Sequence, residues 1–285
     1  MRVIILASES LGVRSMAALI ETSWGRVIID PGVALAPKRA GFKPHASELA
    51  AASAVQRRLR NELGGCTHVV ISHFHGDHHP MVEAVDGQLD ARHALLSLQD
   101  SELFAIGRET LSRNQSHRRY LFQQLLGRPL PPAEGTSAAH LTFSSPVPHG
   151  SPDAHSGSVM MCCVRDGAES FVHGSDIQFL DDCAVEQILA WQPDIVFASG
   201  PPVYLLEHRR DILAAARERI LRVAASVSQL ILDHHLMRSA AGFEWLAALS
   251  KEQSNIVSAA EFAGEQPNLL EAQRKNLWGK TARRR

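Results

Sequence analysis

Short apolar runs separated by turn residues dominate the N-terminal part of the chain. Three of these runs occupy residues 3–7, 13–20 and 26–30, and the third ends at Pro31-Gly32. A run of a few aliphatic residues that is bounded by Gly or Pro is typical of a β-strand. The pattern therefore predicts three strands that form one edge of a sheet.

Helical spacing appears next, over residues 45–62. The apolar positions of this segment repeat at intervals of three or four from Leu49 to Leu59, and Gly64-Gly65 follow. Spacing of this kind predicts a helix that ends at the two glycines.

The central part of the chain combines one strand with a long polar stretch. Residues 67–71 form an apolar, β-branched run that predicts a buried strand. Residues 80–130 have a mostly helical composition, especially 99–126, and we expect a helical segment there. Gly127 to Gly135 contains three prolines and is the best candidate for a linker.

The second half repeats the order of strands followed by helices. Predicted strands cover 140–145, 157–164, 169–173, 195–198 and 229–233, and predicted helices cover 182–191, 206–224 and 239–278. Because both halves run from strands to helices, we expect two similar halves that pack sheet on sheet with helices outside.

Composition narrows the class of protein. A net charge of -1 and a charged content of 21% do not suggest a protein that coats nucleic acid, and an apolar content of 45% is ordinary for a globular protein. The four cysteines lack CxxC spacing. The apolar residues 3–7 are too few for a signal peptide, and no window approaches a membrane span. These features predict a reduced, cytoplasmic protein without membrane association.

Four histidines and one aspartate follow the predicted strand 67–71, within the seven residues from His73 to His79. Side chains two apart in a strand face the same way, so His73 and His75 can hold one metal ion together. After the turn, Asp77 and His78 can face a second ion nearby. The cluster supplies two partial metal sites, and each site needs further ligands from elsewhere in the chain.

Polar residues after later apolar runs are the candidates for those ligands. They are His149, Asp176 and the pair His234 and His235. Any one of them alone is more often a hydrogen-bonded loop histidine or a helix-capping aspartate. Together with the cluster at 73–79, they indicate a metal site.

The motif series resembles that of the metallo-β-lactamase-fold hydrolases. The residues that carry the resemblance appear in the expected order and are Asp30, His73-x-His75-x-Asp77-His78, His149, Asp176 and His234. Four further segments are similar to the sequences of an uncharacterised prokaryotic branch of that superfamily. They are 6–15, 29–35, Gly200-Pro201-Pro202 and 232–235.

The resemblance implies an α/β (α+β) fold, an αββα sandwich of two mixed β-sheets flanked by helices. The chain would be a single domain over 1–285, with a helical insert near 99–130 and a helical C-terminal end near 239–278. It also implies two divalent metal ions, usually zinc, with manganese or iron as alternatives. Two ions that share a hydroxide lower its pKa and activate it for hydrolysis.

The superfamily pattern also implies a role for each motif residue. One ion would be held by His73, His75 and His149, and the other by Asp77, His78 and His234. Asp176 would bridge the ions, Asp30 would hold ligands in place, and Asp77 would act as the catalytic residue.

Four assignments have alternatives. His155 also resembles the third motif, although Pro148-His149-Gly150 fits the prokaryotic branch better. His235 is the alternative to His234. His79 exceeds the pattern and is either a supporting residue or the start of a helix, and His173 is most simply a strand residue near the site.

Two other families fit less well. Residues 231–235 also resemble the Asp-His-His motif of the DHH phosphoesterases, but that family needs paired aspartates near the N-terminus and this chain has only Asp30 there. Diiron flavoproteins of the metallo-β-lactamase fold tend to carry Glu where His75 stands, which argues against a redox role.

Hydrolysis of a phosphodiester, in a small molecule or a nucleic acid, is therefore the leading prediction. Arg14, Lys38, Arg39 and Arg238 lie in loops or at element ends and are candidates to bind a phosphate. The alternatives are an acyl hydrolase for lactones or thioesters, with the insert as an apolar wall, and a metal-binding regulatory protein without turnover. We expect no protein partner.

Overall fold

Two mixed β-sheets form the centre of the structure, a computed structural model that describes residues 1–150 and 157–282. The strands of the first sheet follow one another in chain order and are β1 (Arg2–Ile5), β2 (Ala18–Glu21), β3 (Arg26–Ile29), β4 (His68–Ile71) and β5 (Glu102–Ala105). The pairs β1/β2 and β2/β3 are antiparallel, and β3/β4 and β4/β5 are parallel.

The second sheet is built from the later part of the described chain. Its strands are β6 (Ser137–Ala138), β7 (Leu141–Phe143), β10 (Cys162–Asp166), β11 (Glu169–Ser175), β12 (Ile195–Ala198), β13 (Gln229–Leu232) and β14 (Ile256–Val257), while β8 (Val147–Pro148) and β9 (Ser158–Val159) form a separate antiparallel pair. The sheet order is β14-β13-β12-β11-β10-β7-β6, with parallel pairing from β11 to β14.

Helices flank the sheets. They are α1 (Ala46–Leu63), α2 (Leu95–Asp100), α3 (Arg113–Leu126), α4 (Asp182–Trp191), α5 (Val203–Leu206), α6 (Arg210–Ala224), α7 (Ala240–Glu252), α8 (Ala259–Phe262) and α9 (Arg274–Ala282). In the part of the chain that the structure describes, none of them is long and apolar enough to cross a membrane.

Alternation along the strands of the second sheet creates two cores. Phe171 and Phe197 belong to the core shared with the first sheet, whereas their neighbours Val172 and Val196 belong to the core shared with α4, α6 and α7. Successive strand residues point to opposite faces, so one face of the sheet packs on the other sheet and one on helices. The predicted αββα sandwich of two mixed sheets is confirmed.

Several predicted elements differ from the structure. The segment 99–126, predicted to be helical, contains the strand β5, and the C-terminal segment 239–278 contains the short strand β14. The predicted strand 13–20 begins only at Ala18, and the predicted strand 157–164 is divided between β9 and β10. The strands β5 and β14 depend on pairing with β4 and β13, which local composition does not record.

Candidate metal centre

The predicted site residues follow directly after strands that end at one edge of the sandwich. In the first sheet Asp30 follows β3 and the segment 72–79 follows β4, and in the second sheet Asp176 follows β11 and the segment 233–235 follows β13. Parallel neighbours place their carboxyl ends at the same edge of a sheet. The two edges meet, since Oγ of Ser72 lies 2.7 Å from Oγ of Ser175.

Three residues at these strand ends have a left-handed backbone although none is glycine. The φ angles are 49° at Asp30, 55° at Ser175 and 46° at His234. A non-glycine residue in this region costs about 1–3 kcal/mol and persists where the surrounding structure enforces it. Each of the three turns the chain sharply, and Asp30 and His234 thereby bring their side chains into the buried site.

One group of potential ligands combines His73, His75, His149 and Asp176. Nε2 of His73 lies 3.0 Å from Nδ1 of His75 and 3.5 Å from Oδ2 of Asp176. Nε2 of His149 lies 2.8 Å from the same carboxylate oxygen. One ligand atom from each of the four lies within 4.8 Å of every other.

A second group combines Asp77, His78 and His234, again with ligand atoms within 4.8 Å of one another. Oδ2 of Asp77 lies 3.5 Å from Nε2 of His234. The second carboxylate oxygen of Asp176, Oδ1, lies 3.3 Å from Nε2 of His78 and 3.4 Å from Nε2 of His234. The carboxylate of Asp176 therefore faces one group with Oδ2 and the other with Oδ1.

Two atoms that face each other in the second group fit a divalent cation. Nε2 of His78 and Oδ1 of Asp176 are buried and have no hydrogen-bond partner among the described residues. An unpartnered buried polar atom costs roughly 1–3 kcal/mol, and imidazole nitrogen and carboxylate oxygen are common ligands of zinc, manganese and iron. At His234 an ion would have to displace Nη2 of Arg238, which donates to Nε2 at 2.7 Å.

Carboxylates behind the two groups fix the orientation of two of the histidines. Asp30 accepts a hydrogen bond from Nδ1 of His78 at 2.8 Å and also accepts from the backbone N–H of Ser72 at 2.8 Å. Glu9 accepts from Nδ1 of His234 at 2.6 Å. Because Nδ1 donates to a carboxylate in both rings, Nε2 of His234, and Nε2 of His78 once it gives up its proton, has a lone pair for a metal ion.

Three imidazoles of the site, those of His73, His75 and His234, are neutral at pH 7. Burial lowers the pKa of His73 to about 4. Burial, together with the charge of neighbouring groups, also lowers the pKa of His75 and of His234 well below the usual value. A histidine must be neutral to bind a metal ion, so these rings are in the correct form.

The carboxylates of Asp77 and Asp176 are ionised, whereas burial raises the pKa of Glu9 to about 8. Burial opposes the charge of Asp77 and Asp176, but His78 and His234 hold the pKa of both well below its usual range. Burial also opposes a charge on His78, yet Asp176 and Asp30 raise the pKa of this ring well above the usual value. A positive charge is therefore favoured between the two carboxylates, and either a proton or a metal ion can supply it.

Comparison of the whole chain with curated proteins decides the family. A UPF0282 protein of Methanosarcina mazei is 46% identical over 279 residues, which cover 98% of this chain and 92% of that protein. A UPF0282 protein of Methanopyrus kandleri is 38% identical over 291 residues, which cover 98% of this chain and 99% of that protein. The chain belongs to the UPF0282 family. The predicted relation to an uncharacterised prokaryotic branch is confirmed. No family-level sequence profile matches the chain.

A solved structure supports the fold assignment of this UPF0282 chain. Tm1679, described as a metal-dependent hydrolase of the β-lactamase superfamily, matches with a TM-score of 0.52 and 12% identity, over 90% of this chain and 94% of that one. At this identity the likeness concerns the fold. This member of the UPF0282 family therefore has the metallo-β-lactamase fold.

The remaining candidate histidines of this UPF0282 chain occupy different surroundings. His235 lies beside the first group, with Nε2 3.1 Å from Oδ2 of Asp176. His79 is buried against Phe74 and donates from Nδ1 to the carbonyl of Pro80, and burial lowers its pKa to about 3. His173 needs no ion to explain it, because it lies on β11 with Nε2 bonded to the carbonyl of Met16. His155 lies outside the described residues.

A cavity of about 370 Å³ opens onto the two groups and is lined by three arginines. Arg14 is paired with Glu271 at 2.6 Å, and Arg238 is paired with Glu9 at 2.7 Å. Arg118 has no carboxylate within 4.0 Å in the described part of the chain, and Nη1 donates to the carbonyl of Phe74 at 3.2 Å. It is the least neutralised of the three cations at this cavity.

Two of the predicted phosphate-binding residues lie apart from the metal groups. Lys38 is exposed, and it is Pro37 rather than Lys38 that lines the cavity. Arg39 stacks on the ring of Tyr204 at 4.3 Å and donates to the carbonyl of Arg238 at 2.7 Å. Sequence reasoning selected these two residues because they are charged and lie in a loop, which many surface residues share.

Proposed function

We propose that this chain is a metal-dependent hydrolase with two metal ions and that its substrate is a phosphodiester. The observation that carries the proposal is the placement of Asp176, whose two oxygens face two separate groups of histidines. Both groups lie at the base of an open cavity that a substrate can enter.

The proposed ligands are those that the motif series implied. The first ion would be held by His73, His75 and His149, the second by Asp77, His78 and His234, and both by Asp176. The two ions, which we take to be zinc with manganese or iron as alternatives, would supply Lewis acidity and neutralise negative charge. His235 remains the alternative to His234.

Asp77 is the proposed catalytic residue. Its carboxylate is ionised and lines the cavity, so it can orient a water molecule and accept a proton from it. Water would add to phosphorus, and the bond from phosphorus to the leaving oxygen would break. The products are a phosphomonoester and an alcohol, with the proton that Asp77 accepts passing on to the leaving oxygen.

Arg118 supports a phosphate rather than an acyl group as the substrate. Its guanidinium lies at the cavity without a carboxylate partner within 4.0 Å among the described residues, and guanidinium groups bind phosphate oxygens in pairs. An uncharged lactone or thioester offers no comparable partner. Arg118 is therefore the proposed phosphate-binding residue, with Arg14 and Arg238 contributing positive charge.

The experiment measures metal content and turnover on one preparation. Protein expressed with added zinc should hold close to two ions per chain by mass spectrometry and should hydrolyse bis(p-nitrophenyl) phosphate. His75→Ala and Asp77→Ala should each lower kcat/KM by about 100-fold or more. The exposed residues His93 and Asp100 provide matched controls, since His93→Ala and Asp100→Ala should leave kcat/KM unchanged.

Each contrary result has a definite meaning. Protein without transition metal after supplementation would rule out the site assignment. Hydrolysis of lactones or thioesters without hydrolysis of any phosphodiester would replace the proposed substrate class. Two bound ions without hydrolysis of any of these substrates would favour a regulatory metal-binding role.

A further inference from the structure

A second cavity of about 310 Å³ lies beside the metal cavity and shares part of its wall. Val85, Gln88 and Arg118 line both cavities. The volume is near the lower end of the roughly 300–1,000 Å³ that is usual for small-molecule sites. A substrate whose phosphate lies at the metal centre can therefore place an adjoining chemical group in this second cavity.

The lining of the second cavity combines aliphatic surface and neutral amides with the charged side chains of Glu83 and Arg118. The segment 79–88 contributes Met81 and Val85, the latter 68% exposed, and α3 contributes Leu121. Gln88 from the segment and Asn114 from the helix offer amide donors and acceptors. Apolar surface with a few amides suits an uncharged group that has flat apolar faces and polar edges.

His79 also lines this cavity, and one of its ring nitrogens is a hydrogen-bond acceptor that no donor in the described part of the chain contacts. Its Nδ1 donates to the carbonyl of Pro80 at 2.7 Å, so Nε2 is the acceptor of the ring. Nε2 is buried and has no hydrogen-bond partner within the described ranges. A ligand with an N–H group would satisfy it, whereas an acyl chain would not.

We propose that this second cavity binds the nucleobase next to the phosphate that is cleaved. The inference rests on the proposed function, because it takes the phosphate to lie at the metal centre. Each natural nucleobase keeps an N–H donor for His79 when it is attached to its sugar, either on an exocyclic amine or on a ring nitrogen, and its flat faces suit the aliphatic walls. Arg118, which lines both cavities, would bind the intervening phosphate.

A second phosphate is a poorer occupant than a nucleobase. Glu83 lies at the same cavity and repels an anion, and the amides of Gln88 and Asn114 carry no charge. Arg118, the cation that borders the cavity, already faces the metal centre as well.

The test compares the binding of phosphates with and without a base to the metal-loaded protein. Adenosine 5′-monophosphate and cytidine 5′-monophosphate should bind at least about tenfold more tightly than ribose 5-phosphate in calorimetric titrations. Asn114→Ala and His79→Phe should each reduce this advantage by about threefold or more, because each removes a polar contact to the base. The control Asn61→Ala changes an exposed asparagine on α1 and should preserve the advantage.

Two results would overturn the nucleobase inference. One is equal affinity for nucleoside monophosphates and ribose 5-phosphate, and the other is an advantage that survives both Asn114→Ala and His79→Phe. Asn114 is exposed, so its variant tests the site even where the buried His79→Phe lowers stability, which a melting curve records.

Turnover of bis(p-nitrophenyl) phosphate on the same preparation separates this inference from the proposed function. Hydrolysis without any base preference removes the nucleobase site and leaves the hydrolase. A base preference without hydrolysis removes the hydrolase and supports the nucleobase site.

Discussion

Two buried carboxylates decide which nitrogen of a histidine faces the site. Asp30 accepts from Nδ1 of His78, and Glu9 accepts from Nδ1 of His234. An amide in place of either carboxylate offers an N–H group where an acceptor is needed, so the ring would be driven to the other tautomer. Residues that never touch a metal ion can thus control how tightly it binds.

Asp30→Asn is expected to weaken the second metal site while leaving the first occupied. The amide would favour the tautomer of His78 whose Nε2 carries a proton, and loss of such a partner typically costs about 10–100-fold in metal affinity. Metal content after dialysis against a weak chelator should fall from near two ions per chain towards one. Asp100→Asn, on an exposed position, is the control, and full retention of both ions by Asp30→Asn would contradict this role.

The sequence predicts the histidines and aspartates that follow strands, including the distant His149, Asp176 and His234, but not the residues that support them. The cluster from His73 to His78 is recognisable because a strand precedes it and its spacing suits two ions. Glu9 is 225 positions from His234 and is a single acidic residue near the N-terminus, so no local pattern marks it. Arg118 lies in a basic helix, and the sequence alone does not show whether its charges face solvent or a cleft. Its position beside the cavity decides between these two interpretations.

At the scale of elements, the strand β5 shows where local patterns fail. Glu102–Ala105 is only four residues long and lies between two helices, so the composition around it is helical. It becomes a strand because it pairs in parallel with β4, from His68 opposite Glu102 to Ile71 opposite Ala105. The strand β13 is equally short, but it is predictable from the sequence because Leu230, Ile231 and Leu232 form a continuous apolar run, as expected of a strand that is buried on both faces.

A buried ion pair joins the first long helix to the last one. Nε and Nη2 of Arg274, at the start of α9, donate to the carboxylate of Glu48 in the first turn of α1, at 2.8 and 2.7 Å. Nη1 of Arg274 also donates to the carbonyl of Ala36 at 2.8 Å. Both charged side chains are fully buried, so the pair tolerates the loss of neither partner.

Arg274→Met is therefore expected to lower the free energy of unfolding by about 3–5 kcal/mol, because it leaves the charge of Glu48 buried and unpaired. Urea denaturation of the metal-free protein measures the change. Lys275→Met alters the exposed neighbour and should change the free energy by no more than about 0.5 kcal/mol. Equal stability of the two variants would show that α9 does not depend on this pair.

At the scale of the whole molecule, the candidate metal centre joins the two sheets. His73, His75, Asp77 and His78 follow β4 of the first sheet, while Asp176 and His234 follow β11 and β13 of the second. Neither half of the chain carries a complete set of ligands. Metal binding at this centre would therefore require that the two sheets are packed against each other.

Removal of metal ions is accordingly expected to destabilise the whole fold. A ligand present at about 1,000 times its Kd stabilises the folded state by about 4 kcal/mol, and both sheets share that gain. The melting temperature should fall after treatment with a chelator and recover after zinc is returned. The variant Asp176→Asn should lose most of this metal-dependent shift in melting temperature. A wild-type melting temperature that does not change with zinc would contradict a metal centre shared by both sheets.

The left-handed backbone at the strand ends lowers the stability of the folded protein at three positions. Glycine would adopt the backbone of Asp30, Ser175 and His234 without strain, yet glycine would remove the side chains that the site needs. Selection for stability alone would favour glycine at all three positions. A screen for thermostable variants of this chain should therefore select substitutions at these positions that raise stability and remove activity.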